Sequence, residues 1–161
     1  MTVVAQDVRS IVAAVLDPEV PVLTIEDLGI LREVRVDEHG HIDVVITPTY
    51  SGCPALEAIK AAILDVLHDA GHKDVDVTTV LAPAWTTDWM SAEGKRKLLD
   101  YGIAPPGQTN TAGPILVQLG IRCPQCGSLA THEVSHFGST ACKALWVCDS
   151  CREPFDHFKP L

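Results

Sequence analysis

Two Cys-x-x-Cys turns, Cys123-Pro-Gln-Cys126 and Cys148-Asp-Ser-Cys151, constrain the end of this chain more tightly than any hydrophobic pattern in it. Each turn offers two sulfurs from one short stretch of backbone, so little chain entropy is lost when both bind one ion. Zinc and iron both favour four thiolates in a tetrahedron. Pro124 stiffens the first turn and Gly127 frees the backbone after it. The 21 residues between Cys126 and Cys148 slightly exceed the usual ribbon spacing of roughly 15 to 20. The pattern predicts a four-cysteine metal site, with two unrelated thiol pairs or disulfides as the alternative.

Compartment argues against disulfides. The first sixteen residues hold one basic side chain, Arg9, and no apolar core with a small-residue cleavage site, so no secretory signal is expected. No apolar run approaches the roughly 18 residues that a membrane span requires. The expectation is a cytoplasmic chain whose six cysteines stay thiols or bind metal.

Charge divides the chain. Residues 1–114 hold 8 Lys+Arg against 17 Asp+Glu, a balance of −9, whereas residues 115–161 hold 4 against 4. Nucleic acid is excluded as a partner, because a binder needs a basic stripe to displace counterions. The divide falls in Ala104-Pro-Pro-Gly-Gln-Thr-Asn-Thr-Ala-Gly-Pro114, which lacks apolar periodicity and reads as a linker. The expected organisation is an α+β domain over 1–103, a linker over 104–114 and a zinc-ribbon-like module over 115–161.

Within the first domain, Val8, Ile11, Val12, Val15 and Leu16 recur at helical spacing, and Asp17-Pro18 ends that helix. Leu31–Val36 and Ile42–Ile46 alternate around Asp37-Glu-His-Gly40 and predict a hairpin. Pro54 suits a first helical turn, and Leu56, Ile59, Ile63, Val66 and Leu67 form one apolar face that ends at Ala70-Gly71. A third strand around Val75–Val80 and a short helix over 91–101 complete an α-β-β-α-β domain. No internal repeat or low-complexity tract is present.

This reading puts Cys53 at a helix N-terminus, where unpaired N–H groups and the dipole lower a thiol pKa and favour thiolate. Such a sulfur can be a nucleophile, a redox sensor or a metal ligand. It can equally be a small packed side chain. No His stands near it in sequence to act as a base, so cysteine catalysis lacks local support.

Asp17-Pro-Glu19, Asp27-Leu-Gly-Ile30 and Thr47-Pro-Thr-Tyr-Ser-Gly-Cys-Pro54 together resemble the MIP18/DUF59 family of small α+β proteins associated with iron–sulfur cluster assembly. With Phe137-Gly-Ser-Thr-Ala-Cys-Lys143 and Glu153-Pro-Phe-Asp-His-Phe158, the pattern is similar to the branch formed by the D subunits of bacterial phenylacetyl-CoA epoxidase systems. The resemblance implies an accessory role in a multicomponent oxygenase of phenylacetate catabolism, with no enzymatic activity of its own. The implied partners are oxygenase or reductase subunits, with a homodimer also open. It also implies a transient iron or Fe–S site at Cys53, with Asp27, Glu19 and Thr49 around it, and a structural Zn on Cys123, Cys126, Cys148 and Cys151. Asp27 equally fits a turn cap, and Glu19 a solvated acid before Pro21.

Cys142 lies six residues before Cys148 and fits neither knuckle, so it is expected to pack near Trp146. His132, His136 and His157 are expected at the surface or at an interface, since four thiolates complete a closed site. Trp85 and Trp89 fit the core, a lid over the third strand or a docking patch. Besides the accessory reading, two classes stay open: a metal-stabilised interaction module without iron transfer, and an enzyme using Cys53 as nucleophile.

Overall fold

The structure, a computed structural model, describes residues 5–109 and 120–161. It divides into two compact units, Met1–Ser91 and Ala92–Leu161. The part of the expected linker at 110–114 lies outside the described residues, as does 115–119 of the expected module.

The first unit runs α1 (Ala5–Ala13), β1 (Leu31–Val36), β2 (Ile42–Ile46), α2 (Leu56–Asp69) and β3 (Val75–Thr79), then a 3₁₀ turn at Thr87–Trp89. Its sheet has the order β1-β2-β3, with β1 antiparallel and β3 parallel to the central β2. The hairpin forms as the alternation predicts. Asp37 closes it, accepting from the His39 and His41 N–H groups at 2.8 and 2.9 Å, while Gly40 takes a φ of 87° that a side chain would resist. Ile42, Val44, Val45 and Ile46 of β2 are all buried, as expected of the middle strand of a sheet joined by a helical crossover. Val8 and Val12 of α1 and Ile59, Ile63 and Leu67 of α2 are buried as well, with α1 against β1 and α2, and α2 against β3.

α2 ends in a Schellman cap: His72 N–H donates to Leu67 C=O and Gly71 N–H to His68 C=O, both at 2.9 Å, with Gly71 at φ 93°. Two expected helix boundaries shift. α1 stops at Ala13 because Leu16 instead bridges Thr24 in extended form, and the Leu16 side chain is exposed. α2 begins at Leu56, not Pro54, because the chain first closes a separate turn in which Cys53 N–H donates to Tyr50 C=O at 3.2 Å.

The second unit holds α3 (Ala92–Asp100) and β4 (Ile103–Ala104), β5 (Thr131–Ser135), β6 (Lys143–Cys148) and β7 (Pro154–Phe158), in the sheet order β4-β7-β6-β5. This differs from the expected boundary at 103/104. Ile103 and Ala104 pair in parallel with Asp156 and His157, so the backbone just before the Pro-rich stretch belongs to the ribbon's sheet, and α3 goes with it. Sequence patterning could not reveal that pairing, since a two-residue strand has no period. The ribbon's buried cluster is small: Ala104, Ile121, Phe155 and the two ligand-type residues Cys123 and Cys148, with Trp146 and Cys151 against it. No described helix is long and apolar enough to cross a membrane.

Candidate functional site

The two Cys-x-x-Cys segments fold into near-identical turns. In the first, Gly127 N–H donates to Cys123 C=O at 2.9 Å and Cys123 N–H to Ser128 C=O at 2.9 Å. In the second, Arg152 N–H donates to Cys148 C=O at 2.9 Å and Cys148 N–H to Glu153 C=O at 3.0 Å. Both need a left-handed residue after the second cysteine. Gly127 supplies it at φ 76°, and Arg152 adopts it at φ 68° despite its side chain. A contact of 2.9 Å between the Ser128 and Ser150 hydroxyls links the turns.

All four ligand sulfurs lie within 4.8 Å of one another. Sulfurs bound at about 2.3 Å around a tetrahedral ion stand about 3.8 Å apart. Cys123 to Cys151 at 3.7 Å and Cys126 to Cys148 at 3.6 Å match two edges of that tetrahedron. The donor set therefore fits one four-coordinate metal ion. Backbone N–H groups of Cys151 and Ser150 pull the Cys148 thiol down to about 6, helped by the Cys126 and Cys151 sulfurs. Against the Glu153 N–H, which favours its thiolate, burial and the three neighbouring sulfurs push Cys151 up to about 12. Four sulfurs this close cannot all ionise without a cation between them.

Cys142 stands apart, buried, with its sulfur 3.1 Å from the Thr140 hydroxyl. His132 and His136 lie at the surface as expected, against Asp149 and Glu133. His157 does not. It is buried beside Trp146, ring centroids 6.0 Å apart at 84°, and its Nε2 finds no partner among the described residues. Burial drives its pKa down to about 4, with Glu133 opposing. On β7 its side chain shares a face with Phe155, and that pairing, absent from any local pattern, takes it inside.

In the first unit, the loop from Thr47 to Pro54 is anchored by Thr47 N–H on Ile30 C=O at 2.9 Å. Cys53 is half-buried there, with the Ala55 N–H and the Thr49 hydroxyl acting to favour its thiolate. Its pKa is nevertheless raised: burial is the largest cause, and the negative charges of Glu19 and Asp17 add to it, outweighing the lowering effect of the Ala55 N–H and the Thr49 hydroxyl. The expected thiolate-rich cysteine is thus a protonated one. The helix-dipole expectation fails because α2 starts three residues later and two carboxylates more than 30 positions upstream face the thiol.

Asp17, which apolar patterning marks only as a helix stop, also acts on Cys53. Its Oδ1 accepts from the Glu19 and Val20 N–H groups at 2.9 and 2.7 Å, which turns the chain so that both acids reach the Cys53 side. The Asp-Pro-Glu spacing is the available signal. Asp27 acts differently from Glu19. With Thr24 it forms a reciprocal cap, Asp27 N–H on Thr24 Oγ1 at 3.0 Å and Thr24 N–H on Asp27 Oδ2 at 3.1 Å, and its Oδ1 accepts from the Ser91 hydroxyl at 3.2 Å.

The Asp27-Leu-Gly-Ile30 turn is a clamp. Gly29 sits at φ 73° with the Trp89 carbonyl only 2.6 Å from where a Cβ would stand, and Trp85 Nε1 donates to Leu28 C=O at 2.8 Å. Trp85 is buried, and Trp89 lies under the Arg32 guanidinium at 3.8 Å. The Trp pair therefore fastens residues 85–91 to this turn. A cleft of about 230 Å³ opens beside it, lined by Thr47–Ser51, Leu81, Ala84 and Trp85.

A family model for an iron–sulfur cluster assembly protein matches residues 5–80, and one for the PaaD zinc beta ribbon domain matches residues 108–159. The chain is 46% identical over 95% of its length, and 91% of the relative's, to the Escherichia coli protein named as the D subunit of "Putative 1,2-phenylacetyl-CoA epoxidase". It is 33% identical to an Fe-S protein maturation auxiliary factor of Porphyromonas gingivalis, over 58% of this chain and 89% of that one. The crystal structure of a DUF59 domain from Bacillus anthracis superposes with a TM-score of 0.55 at 28% identity, covering 58% of this chain and 90% of that one. The chain belongs to the MIP18/DUF59 family of iron–sulfur cluster assembly proteins, in the branch that adds a PaaD-type zinc ribbon.

Proposed function

We propose that this chain is an accessory protein of a multicomponent phenylacetyl-CoA epoxidase in aerobic phenylacetate catabolism, assembling or maintaining an iron or iron–sulfur centre in a partner oxygenase or reductase subunit. The observation that carries this reading is the grouping of Cys53 with Thr49, Glu19 and Asp17 in the unit that matches the assembly family. One thiol among carboxylates is a partial donor set that leaves positions open, which suits transient holding of iron as cargo. Asp27 contributes by fixing the turn beside the loop. The four ribbon thiolates would hold Zn as a closed, structural site, saturated and slow to release, so the ribbon is not the donor.

Because Cys53 keeps its proton, a bound cation must displace it. Uptake therefore strengthens with rising pH, by up to about tenfold per unit while the pH is below the thiol pKa. The test is the iron content and turnover of the oxygenase produced with wild-type or Cys53→Ala protein, alongside zinc analysis and circular dichroism of the variant. Lost turnover with zinc and fold retained is the expected outcome. Full turnover would make Cys53 a packing residue and favour the interaction-module reading.

A further inference from the structure

The order β1-β2-β3 leaves β3 at an edge of the first unit's sheet. Ile42 N–H donates to Asp74 C=O and Val80 N–H to Ile46 C=O, both at 2.9 Å. A strand residue points its N–H and C=O to the same side, so the even-numbered residues of this strand face β2. Val75, Val77 and Thr79 direct theirs outward. Among the described residues no backbone bond reaches that outer side. The opposite edge is less open to pairing, since β1 carries a register shift between Leu31 and Glu33.

Charge selects the occupant. Residues 1–91 hold 5 Lys+Arg against 15 Asp+Glu, a balance of −10. Around the hairpin and β3, Glu33, Asp37, Glu38, Asp43, Asp74 and Asp76 face Arg32, Arg35 and Lys73, and the Arg32 guanidinium is already stacked on Trp89. The Asp74 and Asp76 side chains are each 78% exposed, with His41 nitrogens at 3.0 and 3.6 Å. Two copies joined through this edge would bring four of these carboxylates together, which disfavours a second copy.

We propose that the outer edge of β3 docks a basic, extended segment of a partner protein, which adds as a fourth strand with its Lys or Arg side chains beside Asp74 and Asp76. Backbone bonds to Val75, Val77 and Thr79 give affinity, and the aspartates give the choice of partner. Leu81, two residues past the strand, is exposed and walls the cleft of about 230 Å³. A side chain of the docked segment that runs past Thr79 has room there, next to the loop that carries Cys53. The docking surface stands whether or not Cys53 handles iron.

The probe is an acetylated, amidated octapeptide of alternating Val and Lys, with its Val and Glu counterpart as control, titrated into the isotope-labelled full chain. The expected result is amide shifts and slowed exchange at Val75, Val77 and Thr79, no binding of the Glu peptide, and binding about tenfold or more weaker in Asp74→Lys/Asp76→Lys. Val77→Pro removes one outward N–H without touching the β2 ladder and should also block addition. If that variant misfolds, the surface charge reversal decides. Absence of Lys-peptide binding, shifts confined to other residues, equal binding of the Glu peptide, or a mass doubling that consumes this edge would each overturn the proposal.

Discussion

The first unit buries Leu23, Ile25, Leu28, Ile30, Ile42, Ile46, Ile63 and Leu67 almost completely, whereas the second buries Leu98 and Phe158 and packs its cysteine end with Ala104, Ile121, Phe155 and the cysteines themselves. Ordinary apolar burial is enough for a unit of the first kind. The small cluster at the cysteine end leaves more for an ion to contribute, since binding by four thiolates would be coupled to folding. The contrast extends to sulfur chemistry. Cys53 is a single, protonated thiol beside carboxylates, while the ribbon sulfurs form a closed tetrahedron. On the proposed reading one chain separates a saturated structural site from an open one, and each should be open to perturbation without the other.

The largest test of that separation is Cys148→Ser. Losing one of four thiolates removes most of a metal-binding free energy that is about 10 to 16 kcal/mol in comparable small sites. The ribbon should lose its metal and its ordered amide spectrum while the first unit keeps its own. Metal analysis paired with residue-resolved exchange reads this, and an ordered, metal-free ribbon would erase the contrast.

Ile63→Ala is the converse. Ile63 is fully buried on α2, so truncation should cost about 2 to 5 kcal/mol in the first unit, seen as a lower denaturant midpoint. The ribbon's metal content should stay unchanged. Coupled loss of metal would mean that the units do not stand alone.

Acid should act selectively on the ribbon. His157 is held neutral, with its pKa near 4 in the folded state against about 6.5 when unfolded, so in this interval the unfolded chain binds the extra proton. The stabilisation is present above pH 6.5 and lost as pH falls toward 4, at about 1.4 kcal/mol per unit and about 3 kcal/mol in all. In His157→Phe that slope should vanish between pH 6.5 and 5, leaving only the thiolate contribution common to both proteins. Parallel slopes from chemical denaturation at several pH values would remove His157 from the account.

The smallest expected effect is at Arg152. A non-glycine residue at φ 68° carries a strain of about 1 kcal/mol, so Arg152→Gly should be neutral or stabilising by up to that amount. Gly127→Ala should destabilise by a similar amount, since it puts a side chain at φ 76°. Thermal midpoints of the metal-loaded ribbon check both, and the opposite signs would sharpen the likeness between the two knuckles.

Features set by near neighbours were legible in the residues alone. The Cys-x-x-Cys turns, the Asp37–Gly40 hairpin and the α2 face that ends at Gly71 depend on contacts within a few positions, where spacing and φ preference are decisive. That locality also made the set of four ribbon cysteines readable by number. What lay beyond it was decided by tertiary structure. Glu19 and Asp17 reach Cys53 across more than 30 residues and reverse the sense of its pKa shift. Ile103 and Ala104 join the ribbon only because β7, some 50 residues on, accepts them, and His157 is buried because its neighbours on that strand face inward. Trp85 and Trp89 become fasteners through Leu28 and Gly29, whose close approach no periodicity encodes. The sequence by itself determined the ligands and the local elements, since those follow from covalent spacing. The protonation of the open thiol and the affiliation of α3 and β4 were left to the fold, because electrostatics and strand pairing act through space.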